Sequence, residues 1–185
     1  MINESQIKEI LEKPELVTGL KKYNFIMQRV HQTDVSTDTE FQTMFRDFYQ
    51  MRRFYSDEFV SQYFALLEQL KNTKDVSFQT AIDKLLQVQG TYEMSFASKM
   101  IHTINPEHPI WDSVVTKRHF RINPPAGKKD KQKACCDKYD HYEKMFFEFM
   151  KKEEGRLIIR LFDEKFPDEK VSDAKKIDFV LWQDR

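Results

Sequence analysis

Between Gly19 and Gly127 the chain carries one glycine, Gly90, and the whole sequence of 185 residues holds only 4 glycines and 6 prolines. Glycine and proline are the residues that most often interrupt regular structure. Long helices therefore suit this chain better than a sandwich of short strands. The apolar positions agree, recurring at helical spacing along nearly the whole length. Asn3 with Gln6 caps a short first helix, which Pro14 closes. Leu16, Leu20, Tyr23, Met27 and Val30 stripe a second helix. Thr37 with Glu40 reads as a capping box for a third, whose inner face is Phe41, Met44, Phe45 and Phe48. Ser56 and Ser77 open the fourth and fifth, and Gly90 ends the fifth. A sixth carries Met94, Ala97, Met100, Ile101 and Ile104 and stops at Asn105-Pro106. Asp112 starts a seventh that runs to about Phe120, before the loop Asn123-Pro124-Pro125-Ala126-Gly127. A long helix from Lys131 to Lys152, another around Leu157–Phe162 and a last one from Ser172 complete the chain. The expected fold class is all-α, with about ten helices. Leu157-Ile158-Ile159 is the only strand-like run, and its flanks read helical.

Apolar residues at 40%, with 16 phenylalanines, exclude a disordered chain, which lacks the material for a core. The length fits a single all-α domain over 1–185, or two closely packed helical lobes with a cleft near 90–121. Lys plus Arg is 30 and Asp plus Glu is 30, so net charge is zero and only local patches speak about partners. No basic leader precedes an apolar run, and nothing approaches the roughly 20 apolar residues of a membrane span. Cys135 and Cys136 are adjacent and read as free thiols in a reducing compartment. The expectation is a soluble cytoplasmic protein with no membrane partner.

Several kinds of site are absent. There is no phosphate-binding glycine loop, no G-x-S-x-G elbow and no H-E-x-x-H. His31, His102, His108, His119 and His141 form no pair at ligand spacing, so neither a metal nor a cofactor is expected.

The most informative stretch is Gly90 to Phe120, GTYEMSFASKMIHTINPEHPIWDSVVTKRHF. A helix leads into a proline-bounded turn, and an aspartate opens the next helix. This resembles the active-site segment of the helix-hairpin-helix DNA glycosylases, the superfamily of the 8-oxoguanine glycosylases and endonuclease III. Ala97 matches the small residue near the start of the helix, and Pro109-Ile110-Trp111-Asp112 matches the Pro-apolar-Asp turn. The likeness covers about thirty residues and otherwise only the all-α architecture. It implies that Asp112 stabilises the sugar cation formed as a base departs, or activates the attacking water. The plainer reading of Asp112 is an ordinary helix N-cap. The hairpin here offers Leu86-Gln87-Val88-Gln89-Gly90, with one glycine where the family usually has two. Bifunctional members carry a nucleophilic lysine at a place that falls here at Met94-Ser95, and the turn is short. The resemblance therefore implies hydrolysis rather than lyase chemistry. Lys99 lies a turn further along and is the second candidate catalytic residue, with a solvated surface lysine as the plainer reading. Tyr92 and Trp111 flank the segment as candidates to pack beside a base, and Trp111 serves equally as a core plug.

From Lys117 to Lys133 stand seven cations, Lys117, Arg118, Arg121, Lys128, Lys129, Lys131 and Lys133, against one acid, Asp130. They are candidates to contact DNA phosphates, with a solvated loop as the alternative. Phe48, Tyr49, Phe54, Tyr55 and Tyr63 cluster near Arg46, Arg52 and Arg53, an arrangement that stacks bases or, at helical spacing, builds core. Two functions follow. The first is a divergent DNA glycosylase-like protein that hydrolyses the N-glycosidic bond of a damaged base through Asp112. The second is a non-catalytic helical domain that keeps the fold and binds nucleic acid or protein.

Overall fold

The computed structural model describes residues 2–51, 55–74, 76–127 and 130–184. Among these residues the chain is entirely helical apart from its connections, with nine α-helices, one π-helical turn and no strand. The helices are α1 (Glu4–Leu11), α2 (Pro14–Arg29), α3 (Thr39–Phe48), α4 (Asp57–Leu70), α5 (Phe78–Gln89) and α6 (Met94–Ile104). After the π-helical turn Val115–His119 come α7 (Lys131–Lys151), α8 (Glu153–Lys165) and α9 (Asp173–Gln183). Leu157-Ile158-Ile159 lies inside α8. None of the described helices is long and apolar enough to cross a membrane.

The caps follow the local chemistry, since a side-chain oxygen can satisfy an amide that has no carbonyl one turn back. Asn3 and Gln6 form the reciprocal capping box of α1. Ser56, Ser77 and Ser172 accept from Phe59, Thr80 and Lys175 amides and so start α4, α5 and α9. Gly90 ends α5 in the left-handed region, at φ 72°, where a side chain is disfavoured. Two expectations fail in detail. The N-cap of α3 is Asp38, whose carboxylate accepts from Phe41 N–H, and not Thr37, whose hydroxyl turns back to the Asp34 carbonyl. On α2 the buried stripe runs through Ile26 instead of Met27.

The chain divides into two compact units, Thr18–Asn105 and Met1–Val17 with Pro106–Arg185. In the first unit α5 packs against α4 and α6. Its core is aromatic: Phe41, Phe45, Phe59, Tyr63, Phe64 and Phe96 meet at centroid separations such as 5.4 Å for Phe45–Phe64 and 5.8 Å for Tyr63–Phe96. Phe45, Tyr49 and Tyr63 are therefore core residues, while Arg52, Arg53 and Phe54 lie outside the described residues. Helix α6 is buried on every face from Phe96 to Thr103, Lys99 and His102 included.

In the second unit α8 packs against α1, α7 and α9. Its core contains Tyr139, Tyr142, Phe146, Ile158, Phe162, Ile177 and Val180. Gly155 sits where α8 turns back on the end of α7. A β-carbon there would stand 2.2 Å from the Phe149 carbonyl oxygen, so the close approach requires glycine.

Candidate functional site

The turn before Asp112 is built by hydrogen bonds from α7. Pro106 and Pro109 keep residues 106–112 out of a helix, which leaves their carbonyls in need of donors. Tyr139 Oη donates to the Pro109 carbonyl at 2.8 Å, and Tyr142 Oη donates to the Ile110 carbonyl at 3.0 Å. His108 Nδ1 meets Glu143 Oε1 at 2.8 Å. Residues 139, 142 and 143 lie on one face of α7, so a single helix surface grips three successive residues of the turn. Ser172, the cap of α9, donates its hydroxyl to the Pro106 carbonyl at 2.6 Å. Trp111 is 4% exposed and meets the Tyr142 ring edge-on, with centroids 5.5 Å apart. It fills the core of this unit.

Asp112 is half-buried and bonded through both its backbone and its carboxylate. Its N–H donates to the Ile110 carbonyl at 3.0 Å. Its carbonyl accepts from the N–H and the hydroxyl of Thr116, each at 2.8 Å. One carboxylate oxygen, Oδ1, accepts from Val114 N–H at 2.8 Å. Asp112 thus does cap a helical segment. That segment is not the regular helix to Phe120 that the spacing suggested. After Ser113 and Val114 it widens into the π-helical turn Val115–His119, and Ile122 N–H closes back on the Thr116 carbonyl at 2.8 Å. The widening buries Val115, Thr116 and Phe120 while Lys117 and Arg118 stay exposed.

The cations that follow are partly paired. Arg118 Nε lies 3.7 Å from Asp184 Oδ2, and Lys133 Nζ lies 2.6 Å from Asp137 Oδ2. Lys117, Arg121 and Lys133 are exposed, and Lys131 is half-buried. Arg121 adopts φ 58°, a left-handed conformation unusual for a residue with a side chain. Lys128 and Lys129 lie outside the described residues. His119, beside Asp184 and the Leu181 carbonyl, has its imidazole pKa lowered, chiefly by burial.

Tyr92 and Lys99 belong to the other unit. Tyr92 is half-buried in the turn between α5 and α6. Lys99 is not on a solvated surface. It is 8% exposed, its Nζ donates to the Tyr49 carbonyl at 3.2 Å, and it lies 4.7 Å from the Phe96 ring centroid. One turn on, His102 Nε2 pairs with Tyr23 Oη at 3.2 Å. The amine and the imidazole are thus both embedded among aromatic rings. Among the described residues, no group of histidines, cysteines or carboxylates gathers as a metal site.

Sequence reasoning missed the tyrosine clamp. Tyr139 and Tyr142 read as part of the apolar stripe of α7. Their acceptors lie 30 and 32 residues away, beyond any local pattern. It also missed the ion pair inside α9, where Lys175 Nζ lies 2.6 Å from Asp178 Oδ2 and both residues are buried. Comparison with protein-family models, curated proteins and solved structures returns no match.

Proposed function

We propose that this protein is a divergent DNA glycosylase-like enzyme that hydrolyses the N-glycosidic bond of a damaged base, with Asp112 as the catalytic carboxylate. The observation that carries the reading is the fixed presentation of Asp112. Its backbone is bonded on both flanks, its turn is gripped by α7, and the half-buried residue stands at the start of a helical segment. A carboxylate held this way suits charge stabilisation without reorganisation. In the proposed step the C1′–N bond breaks and its electron pair leaves with the base, which takes up a proton from solvent. The carboxylate faces the cationic sugar carbon. It accepts a proton from the water whose oxygen bonds to C1′.

Lys99, the second candidate, is enclosed by Phe96 and Tyr49 with its amine donating to the Tyr49 carbonyl, and the proposed step does not use it. Trp111 acts through the turn it seats. Lys117, Arg118, Arg121, Lys128, Lys129, Lys131 and Lys133 are the proposed phosphate contacts. The test is incubation with duplexes bearing 8-oxoguanine, uracil, alkylated purines or mismatches, read by strand cleavage in alkali. Cleavage by the wild type and none by Asp112→Asn supports the reading.

The second reading is a helical domain that binds nucleic acid or protein without catalysis. The Val114 N–H bond to Asp112 Oδ1 favours it, since that bond is what an ordinary cap makes. Duplex binding without base release is its signature.

A further inference from the structure

The Ile110 carbonyl accepts two hydrogen bonds. One comes from Asp112 N–H and the other from Tyr142 Oη, each at 3.0 Å. A carbonyl oxygen has two lone pairs, and here both are used. Tyr142 is fully buried, and its ring touches the chain on each side of Asp112. It meets Trp111 edge-on at 5.5 Å and Phe120 at 5.3 Å. The phenol therefore fixes the carbonyl that holds the Asp112 amide, while the ring fixes the residues that bracket the helical segment. Burial raises the phenol pKa well above its ordinary value, and the charges of Asp178 and Asp112 add to that. Tyr142 thus remains a donor throughout the neutral range. Tyr139 makes the same kind of bond to Pro109, one residue further from Asp112 and not to the carbonyl that Asp112 uses.

The geometry points to Tyr142 as the positioning residue for Asp112, the side chain through which α7 sets the direction of the catalytic carboxylate. This rests on the reading of Asp112 given above. Without the phenol, the Ile110 carbonyl keeps only its three-residue γ-turn bond to Asp112 N–H and loses its hydrogen bond to α7. A shift of that carbonyl reaches Asp112 through the N–H it accepts. Tyr139 holds the turn without setting that direction.

The experiment compares Tyr142→Phe and Tyr139→Phe in the full chain. Each removes one buried hydroxyl and keeps its ring. The first readout needs no substrate: the resonance and hydrogen exchange of the Val114 amide, which donates to Asp112 Oδ1. Tyr142→Phe is expected to shift this resonance and speed its exchange, and Tyr139→Phe to leave both in place. The second readout is kcat and KM on whichever duplex the wild type cleaves. Tyr142→Phe is expected to lower kcat roughly ten- to a hundredfold, with KM changed less than about twofold. An unmoved Val114 amide in Tyr142→Phe, or equal movement in both variants, overturns the assignment. If Tyr142→Phe does not fold, fluorotyrosine at position 142 makes the phenol a more acidic donor and so perturbs the same bond without removing it, and an unmoved Val114 amide again overturns the assignment. A wild type that releases no base ends the glycosylase reading alone, since the Val114 readout still decides what Tyr142 positions.

Discussion

Lys99 donates from its amine to the Tyr49 carbonyl at 3.2 Å, crossing from α6 to the end of α3 inside an aromatic pocket. Its four-carbon stem is packed as core, so two substitutions separate packing from charge. Lys99→Met keeps the stem and is expected to change unfolding free energy by less than about 1.5 kcal/mol. Lys99→Ala empties the pocket and is expected to cost roughly 2–5 kcal/mol. Urea unfolding measures both. Equal losses would show that the charge, not the stem, holds the site.

Asp112 has a capping role that can be measured apart from the proposed catalysis. Its Oδ1 accepts from Val114 N–H, a bond that asparagine can also make. Asp112→Asn is expected to retain stability, and Asp112→Ala to lose about 1 kcal/mol, the usual cost of a missing cap. A thermal melt of the three proteins checks this. Two variants of equal stability would mean that the cap contributes nothing.

Much of the fold is legible in the sequence because it is encoded locally. Asn3, Ser56, Ser77, Gly90 and Ser172 each end or start a helix through atoms within four residues of themselves. The errors arise where distant residues decide. Asp38 takes the cap of α3 from Thr37 because Arg29, on α2, pairs with its carboxylate. The segment after Asp112 widens to a π-turn so that Phe120 can stack on Phe146 of α7, with centroids 5.8 Å apart. Lys99 is buried because α6 is enclosed on every face, whereas charge alone suggested a surface place. Asp112 and its turn are legible from the Pro-apolar-Asp spacing. The tyrosines that hold the turn are not, since only the folded chain brings α7 to it.

Acid should weaken the first unit through Asp38. The Arg29 guanidinium bonded to this carboxylate holds its pKa well below the usual range, with Phe41 N–H assisting and burial opposing. The folded pKa lies below the unfolded one, so the stabilisation is fully present above the unfolded value, about 4 for aspartate. It is lost as pH falls through the folded value. Asp38→Asn keeps the cap but not the charge. The wild type is expected to exceed it in stability at neutral pH, and the gap should narrow steadily below pH about 4. Denaturant midpoints at several pH values read this directly, and a gap that widened in acid would reverse the sign.

The cations after Asp112 carry a prediction about salt. If they track a DNA backbone, log affinity should fall linearly with log salt, at roughly −0.9 per phosphate neutralised on a duplex. Replacing Lys117, Arg118 and Arg121 by glutamine should flatten that slope by up to about three units and weaken all sequences alike. Fluorescence anisotropy over a salt series gives the slope. Affinity indifferent to all three would place the DNA surface elsewhere.

The most direct measurement is the single-turnover release of free base from lesion-bearing duplexes, followed by chromatography, for the wild type and for Asp112→Asn at matched folded fraction. The wild type is expected to release at least one damaged base, with Asp112→Asn slower by a factor of roughly a hundred or more, as when a group that stabilises transition-state charge is removed. Release of no base by the wild type, or equal rates from the two proteins, would contradict the glycosylase reading.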